Sequence, residues 1–419
     1  MTAAADGARL ERRLGLGDAV LLGLGAMVGA GIFSALGPAA ASAGSWLPAA
    51  VLLAGSVAWC NATSSARLAA VHPQAGGTYV YATHRLGPTW GHLAGWGFVV
   101  GKTASCAAMA LTVGSYAWPA QPRVAGLAAL GVAVALGTGG VQRGARLTRV
   151  LVAVALAVLA VVVTAGVTAD GRLDGGATDA GPAGELQAAG LTFFAFAGYA
   201  RQATLGEEVR DPRRTIPRAV GIALAVALAL YLLVALAALR ALGPDGLARA
   251  AAPLAEVVRA SGWDAAVPLV RVGAVAASLG ALLALLLGVS RTAFAMARDG
   301  HLPAGLVAVR RGVPHRAELA VAGVVALLVL LTDLRGAIGF SSFAVLVYYL
   351  LAQLSARRLT PQEGRPPAWL TGAGAGGCVL LALTLPAASV LAGVAVLGVG
   401  LAVGRVTRRR GARREDRLP

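Results

Sequence analysis

The sequence predicts an all-α membrane protein with about twelve transmembrane helices, and three observations support that fold class. Hydrophobic residues make up 57% of the 419 positions, only 13% are charged, and the mean hydropathy is +0.73. Soluble proteins carry about 25% charged residues, so this composition excludes an ordinary soluble domain. Apolar segments long enough to cross a bilayer, about 20 residues each, recur along the chain, and basic residues collect in alternate loops between them.

The apolar segments divide the chain into three regions. Residues 1–15 form a polar amino-terminal segment, 16–404 the transmembrane domain, and 405–419 a basic tail. No short apolar core with a small-residue cleavage site precedes the first span, so we expect no signal peptide. The predicted spans are 16–41, 46–70, 91–117, 122–139, 147–168, 186–206, 218–242, 266–296, 317–333, 336–356, 368–386 and 387–404.

The arginines outside the spans predict the orientation. With the amino terminus inside, the cytoplasmic side carries 27 arginines and the outside only six, Arg123, Arg172, Arg240, Arg249, Arg259 and Arg335. Because cytoplasmic loops are enriched in basic residues, we expect a multi-pass protein of the inner (plasma) membrane with both termini in the cytoplasm. The basic tail also predicts contact with membrane lipids of negative charge, although anchoring of the topology explains it equally well.

Predicted structures can also be assigned to three loops and to the carboxyl-terminal tail. The loop 72–90 is too polar to span and is expected to hold a short amphipathic helix around Tyr79 to Arg85. The stretch 170–185 is a Gly/Asp-rich external loop, and 243–262 is expected to contain a short external helix. We expect the tail from Arg405 onward to be disordered.

Span 1 contains a run of glycines where a membrane helix should be continuous. Gly23, Gly25, Gly29 and Gly31 recur through its middle, and each costs a helix roughly 0.5–1 kcal/mol relative to alanine. This pattern predicts a helix that breaks around Ala30 at mid-depth, as in the binding sites of many secondary transporters. The alternative is a small-residue packing face, since Gly25 and Gly29 have GxxxG spacing.

A second interruption is predicted in span 6, where Gly198 lies among aromatic residues at mid-depth. Spans 1 and 6 are five spans apart and cross the membrane in opposite directions. That arrangement indicates an inverted repeat of five spans plus five, about 16–168 and 186–356, with 368–404 forming peripheral spans.

The two breaks together predict a site for a zwitterion. Free N–H groups near Gly31 and Ile32, at the start of the outer half of span 1, favour an anion. The carbonyls that end the inner half of span 1 and the outer half of span 6 favour a cation.

Four motifs resemble the amino acid permeases of the amino acid–polyamine–organocation superfamily. They are GLGAMVGAGIFSALGP at 23–38, PQAGGTYVYA at 73–82, FFAFAGYARQATLGEEVRDPRRTIPRA at 193–219 and SRTAFAMARDGHLP at 290–303. The resemblance implies that an amino acid's carboxylate and amine are held by backbone groups of Val28, Gly29, Ala30, Gly31 and Ile32. It also implies that the ammonium is shared by the carbonyls of Phe194, Ala195 and Ala197, with Phe194 as an outer lid.

The sequence departs from that family in two places. Many members have serine where Ala30 stands, so one hydroxyl is missing from the implied carboxylate site. Many also carry an acidic residue near Ala200, whereas the neighbour here is Arg201. Arg201 either reaches toward the cytoplasmic vestibule or pairs with Glu207 or Glu208.

Two polar residues within the spans are candidates for a role in coupling. Lys102 is the only lysine of the chain and lies in the middle of span 3. A buried amine can release its proton, whereas a guanidinium stays charged, so Lys102 either titrates during transport or replaces a coupling cation. The alternative is a lysine that snorkels or pairs with backbone carbonyls. Ser278 in span 8 is either a polar contact to the break in span 1 or a packing serine.

The remaining motifs exclude several other functions. Cys60, Cys106 and Cys378 fall in apolar segments at spacings that predict neither a metal site nor a disulfide framework. No HExxH, GxSxG or P-loop motif is present, so we expect no enzyme, no cofactor and no nucleic-acid partner.

We therefore predict a secondary active transporter that moves amino acids by alternating access and is coupled to protons. The alternatives are an amino acid exchanger, a permease for another amine or organic cation, and a non-transporting membrane sensor or scaffold that acts through the basic tail.

Overall fold

The computed structural model describes residues 15–72, 76–138, 145–169, 181–199, 209–309 and 313–415. Nearly all of these residues are helical, and no strand occurs within these ranges, so the all-α class is confirmed. The helices are α1 (Leu16–Met27), α2 (Ala30–Ser34), α3 (Leu36–Ala43), α4 (Leu47–Val71), α5 (Thr78–Leu86), α6 (Pro88–Ala117), α7 (Pro122–Thr138), α8 (Ala145–Thr168), α9 (Gly181–Phe196), α10 (Pro212–Arg249), α11 (Pro253–Ala260), α12 (Val267–Arg298), α13 (His315–Leu331), α14 (Leu334–Arg357), α15 (Ala368–Thr384) and α16 (Ala387–Glu415).

The described part of the chain contains eight helical segments that are long and apolar enough to cross a membrane. They correspond to the predicted spans 1, 2, 3, 5, 7, 8, 10 and 12. The other four predicted spans correspond to α7, α9, α13 and α15, which have only 16 or 17 residues each. The chain is therefore a polytopic membrane protein, whereas twelve spans and the inverted repeat stay predictions.

Helix α6 lies at the centre of the bundle. In its most apolar 18-residue window 83% of the residues are buried, against 28% for α16. Helix α6 packs against α12 on one side and α14 on another. Its glycines allow this approach, because a β-carbon at Gly101 would stand 2.8 Å from the Ala344 side chain on α14.

A buried polar network joins α4, α14 and α15. The Ser64 hydroxyl donates to Gln353 Oε1 at 2.6 Å, Gln353 Nε2 donates to Asn61 Oδ1 at 2.7 Å, and Asn61 Nδ2 donates to Cys378 Sγ at 3.2 Å. All four side chains are buried. Polar groups in an apolar interior must pair with one another, so the network fixes the relative positions of the three helices.

Two predicted short helices are confirmed. Helix α5 occupies the loop 72–90 and ends at Gly87, whose φ of 104° lies in the left-handed region and reverses the chain before Pro88 starts α6. Helix α11 lies in the segment 243–262, after the backbone of α10 breaks at Gly243, with φ 66°.

The tail differs from the prediction of disorder. The backbone of α16 continues as helix from the predicted span to Glu415. Arginine is a good helix former, and extending an existing helix is easier than starting one. Residues 416–419 and the segments 1–14 and 170–180 lie outside the described ranges.

Candidate functional site

Span 1 is interrupted at Val28 and Gly29. Helix α1 ends at Met27, the N–H of Val28 still donates to the Leu24 carbonyl at 2.7 Å, and α2 starts at Ala30. Gly29 has φ −65° and ψ −134°, which is not helical. The interruption lies one or two residues before the predicted position at Ala30. Carbonyls at the end of α1 and N–H groups at the start of α2 are thereby released from helical pairing.

Span 6 changes character at the end of α9. Helix α9 ends at Phe196 and a single 3₁₀ turn follows over Ala197–Tyr199. The described residues stop there and resume at Val209. The predicted pairing of Arg201 with Glu207 or Glu208 therefore lies outside them.

The two interruptions lie directly against each other. A β-carbon added at Gly198 would overlap the Ala26 carbonyl and stand 2.7 Å from the Met27 nitrogen. A β-carbon at Gly31 would stand 2.5 Å from Ala195 Cα. Real β-carbons do not approach backbone atoms this closely, so only glycine permits the contact at either position. The glycines predicted to weaken the helices also allow the two helices to touch.

Ser278 lies on the part of α12 that borders the break in span 1. A β-carbon at Gly29 would stand 2.9 Å from the Ala281 side chain, and Ser278 precedes Ala281 by three residues on the same helix face. The Ser278 side chain is fully buried, and its hydroxyl has no hydrogen-bond partner among the described residues. A buried, unpaired hydroxyl costs free energy, so this group is available to a ligand.

Tyr231 on α10 links the carbonyl ends of both breaks. Its hydroxyl lies 2.6 Å from the Met27 carbonyl oxygen and 3.2 Å from the Ala195 carbonyl oxygen. A tyrosine hydroxyl has one hydrogen to donate. The shorter distance indicates that Met27 is the main acceptor and that the Ala195 carbonyl is held more loosely.

The Ala197 carbonyl is approached by two donors. Lys102 Nζ lies 3.3 Å from this oxygen, and the Tyr349 hydroxyl on α14 lies 3.3 Å from it as well. The Lys102 side chain is only 6% exposed. The lysine of span 3 thus meets the interrupted span 6 at a carbonyl that the resemblance assigns to the substrate ammonium. This contact agrees with both a role in coupling and pairing with backbone carbonyls.

The other predicted site residues are apolar and buried. Val28 and Ile32 are 1% exposed, Ala195 is 2% exposed and Phe194 is 7% exposed. The structure brings Gly31 and Ala195 into contact and places Phe194 one residue before Ala195 in α9. For Ala30 the structure defines the backbone alone, as the first residue of α2.

A polar cluster ties together the ends of spans 1, 6 and 10 on the predicted outer side. Arg335 Nη2 at the start of α14 donates to Gln187 Oε1 at 2.7 Å and to the Ser42 hydroxyl at 3.0 Å. The Ser42 hydroxyl lies 3.1 Å from the same Gln187 oxygen, and Gln187 Nε2 donates to the Thr384 carbonyl at 3.2 Å. We call these residues the outer cluster. It connects α3, the continuation of span 1, with α9 of span 6.

A second cluster holds α5 on the opposite, predicted cytoplasmic side. Arg85 forms an ion pair with Glu363 in the turn after α14 and donates to His72 Nε2 at 3.2 Å. The hydrogen bond from Arg85 lowers the pKa of Glu363 to about 2. Burial, together with the positive charge of Arg85, lowers the pKa of His72. His84 stacks on His72 with ring centroids 5.3 Å apart.

Tyr231, Tyr349 and Arg335 were missed by reasoning from the sequence. Tyr231 interrupts a long apolar run in span 7, and Tyr349 lies in an apolar run in span 10. A hydroxyl at membrane depth needs a partner, so a tyrosine in such a run signals a polar contact. Its partner could not be identified, because backbone carbonyls leave no mark in a sequence.

Comparison with known proteins independently supports the family resemblance seen in the motifs. A family model described as amino acid permease matches residues 18–385. The chain is 59% identical over 416 residues to an uncharacterized transporter of Mycobacterium tuberculosis. That alignment covers 97% of this chain and 94% of the relative. It is 29% identical over 400 residues to cationic amino acid transporter 4 of Homo sapiens, covering 85% of this chain and 61% of that protein.

A bacterial relative with a different named substrate also matches. The chain is 26% identical over 325 residues to a branched-chain amino acid permease of Bacillus subtilis, covering 71% of this chain and 69% of the relative. The relatives named for a substrate thus include transporters of cationic and of branched-chain amino acids. The family resemblance seen in the motifs is confirmed by a match over most of the chain. The chain therefore belongs to the amino acid permease family, within the amino acid–polyamine–organocation superfamily.

Proposed function

We propose that this protein is a secondary active transporter that carries amino acids across a bacterial plasma membrane by alternating access. The observation that carries the proposal is the contact of the two interruptions, where Gly31 meets Ala195 and Gly198 meets Ala26. Interrupted spans that meet inside the bundle expose backbone donors and acceptors away from water and lipid, which is what a zwitterion needs. Twelve spans, the inverted repeat and two cytoplasmic termini complete the proposed architecture.

In the proposed complex the amino acid lies across the junction of the two breaks. Its carboxylate accepts hydrogen bonds from backbone N–H groups between Gly29 and Ile32, and the hydroxyl of Ser278 adds a further donor. Val28 contributes its carbonyl, because its own N–H already donates to Leu24. The start of a helix favours an anion through its free N–H groups.

The ammonium is received by carbonyls at the end of α9. A carbonyl oxygen accepts two hydrogen bonds, and Ala197 already has two donors, Lys102 and Tyr349. The Ala195 carbonyl has one loosely held donor, Tyr231 at 3.2 Å. Ala195 is therefore a proposed ammonium acceptor together with Phe194, which the family resemblance implies, and Ala197 joins them only when Lys102 moves away. Phe194 closes the site on the outer side.

Lys102 is the proposed coupling group. A protonated Lys102 donates a charge-assisted hydrogen bond to the Ala197 carbonyl that follows α9, whereas a neutral amine binds that carbonyl more weakly. Protonation of this one residue would thereby be linked to the geometry of span 6 and to the ammonium site. Lysine suits this role because its amine can lose a proton, which a guanidinium does not do.

Transport by the purified protein in proteoliposomes tests the proposal. A panel of labelled amino acids is supplied with an inward proton gradient and no sodium, beside a parallel set of vesicles preloaded with unlabelled amino acids. Accumulation driven by the gradient supports a proton-coupled permease and names its substrate. Uptake confined to preloaded vesicles indicates an exchanger. Absence of uptake in both sets would contradict amino acid transport.

A further inference from the structure

Within the described ranges, Lys102 places a positive charge beside the junction of the two breaks. Lys102 Nζ is 3.3 Å from the Ala197 carbonyl oxygen, two residues from the Ala195 carbonyl proposed to receive the substrate ammonium. The lysine side chain is buried, so water does not screen its charge. A substrate at the junction would therefore meet the charge of this ammonium group with little screening by water.

Among the residues that the structure describes, the others that border the junction are apolar or uncharged. Val28, Ile32 and Phe194 are buried hydrophobic residues, Ala281 borders Gly29, and Ser278 offers an uncharged hydroxyl. A side chain lying among these groups gains from being apolar, since burial of apolar surface is favourable. A charged side chain there would lose its hydration, and its nearest full charge would repel it if both were positive.

The names of the relatives do not settle the side-chain class. They include cationic amino acid transporters and a branched-chain amino acid permease, all at 26–29% identity. The charge at the site does discriminate between substrates with cationic side chains and substrates with uncharged side chains. An amino acid with an uncharged side chain is a zwitterion of zero net charge, whereas lysine or arginine brings a second cation close to Lys102.

We propose that the substrates of this protein are amino acids with uncharged side chains, and that Lys102 excludes those with cationic side chains. This inference rests on the proposed function, and it assigns Lys102 a role in specificity in addition to the coupling proposed above. In the protonated state Lys102 occupies the cation-accepting carbonyl of span 6. The site then has room for one further ammonium, the α-ammonium of the substrate.

The test compares pairs of amino acids that have nearly the same size and differ in charge. Norleucine is lysine without its terminal ammonium, and citrulline is arginine with a neutral urea group. Each is added as a competitor against uptake of the best labelled substrate of the panel, in preloaded vesicles that need no proton gradient. We expect the uncharged member of each pair to inhibit at a concentration about tenfold lower than the charged member.

Two variants connect the result to Lys102. In Lys102→Met the difference within each pair should shrink by several-fold, and in Lys102→Arg, which keeps the charge, it should persist. Competition for ligand binding to the detergent-purified variants provides the same comparison without transport. Equal inhibition within the pairs, or an unchanged difference in Lys102→Met, would overturn the inference while leaving amino acid transport intact. Absence of uptake of every amino acid would instead overturn the proposed function itself.

Discussion

Both interrupted spans depart from α-helix inside the bundle, but the geometry of the departure and its neighbours differ between them. In span 1 the helix stops for two residues, Val28 and Gly29, and resumes at Ala30. In span 6, α9 passes into a 3₁₀ turn at Ala197. The break in span 1 is lined by glycines that let neighbouring backbones and side chains approach. Two donors from other helices, Lys102 and Tyr349, instead reach the Ala197 carbonyl after α9, while Tyr231 is shared between Met27 of span 1 and Ala195 of span 6.

This difference separates the two charges of the proposed substrate. Backbone packing dominates at span 1, so substitutions there should act through shape. Side-chain donors satisfy the carbonyls of span 6, so substitutions there should act through hydrogen bonds, charge and pH. In the proposed complex the anion half of the site would consist mainly of backbone groups, with Ser278 as one side-chain donor, while side chains that can move or titrate would adjust the cation half.

The largest expected effect is at Gly31. Gly31→Ala should abolish uptake, because its β-carbon would stand 2.5 Å from Ala195 Cα and push the two breaks apart. The clash would fall between the two interrupted spans, next to the implied carboxylate site. Gly288→Ala on α12 is the matched control, since nothing lies within 4 Å of its added β-carbon. Normal uptake by Gly31→Ala would mean that the two breaks need not touch.

The next largest effect is expected at Lys102. Lys102→Ala and Lys102→Arg should both lose the dependence of uptake on external pH, since neither residue can exchange a proton in the transport cycle. Lys102→Arg keeps the charge and so separates titration from electrostatics. The measurement is the initial uptake rate across a series of external pH values. A pH profile identical to that of the parent in both variants would remove Lys102 from coupling.

Removal of the Tyr231 hydroxyl should have an intermediate effect. Tyr231→Phe deletes the donor shared by Met27 and Ala195, and one such hydrogen bond contributes about 1 kcal/mol, or roughly fivefold in affinity. Because this residue positions both breaks, we expect KM and the maximal rate to change together. Tyr349→Phe touches span 6 alone and should change the pH profile more than KM. Indistinguishable kinetics for Tyr231→Phe and Tyr349→Phe would contradict the proposed difference between the two interrupted spans.

Substitution of Phe194 should have a smaller effect, confined to the rate at which bound substrate dissociates. Phe194→Ala opens the proposed outer closure, so bound substrate should dissociate about threefold to fivefold faster, consistent with loss of one apolar contact of about 1 kcal/mol. Phe343→Ala is the control, since Phe343 is equally buried, at 4% exposure, on α14. The dissociation rate is measured by dilution of a preformed complex. Equal rates in the two variants would exclude Phe194 as the lid.

The smallest effect is expected in the outer cluster. Arg335→Gln removes the donor to Ser42 and Gln187, which ties the outer parts of spans 1 and 6 together. Because such partly exposed polar contacts contribute little, we expect a change of about twofold in the uptake rate. A loss as large as that of Gly31→Ala would show that the outer ends, rather than the breaks, hold the two spans together.

The sequence was informative about backbone breaks and uninformative about their partners. The glycine run of span 1 predicted its interruption, and the single Gly198 predicted the departure from α-helix at the end of α9, since glycine weakens a helix wherever it stands. Pairing of Lys102 with a backbone carbonyl was one of the alternatives, but its partner Ala197, and the contact of Tyr231 with Met27, could not be predicted, because these residues are 95 and 204 positions apart in the sequence. The tail was misjudged for a related reason, since the preceding helix extends into it to Glu415.

The most direct test of a substrate site at the junction is protection of a cysteine placed beside it. Ser278→Cys, in a Cys60→Ala background, replaces the buried hydroxyl next to Ala281 and Gly29. Its rate of reaction with a small membrane-permeant thiol reagent is measured with and without saturating substrate. Ser290→Cys serves as the control, because Ser290 is equally buried on the same helix about three turns away.

We expect substrate to slow modification of Ser278→Cys at least several-fold and to leave Ser290→Cys unchanged. Modification of both cysteines at rates that do not respond to substrate would contradict a binding site at the junction of the two interrupted spans.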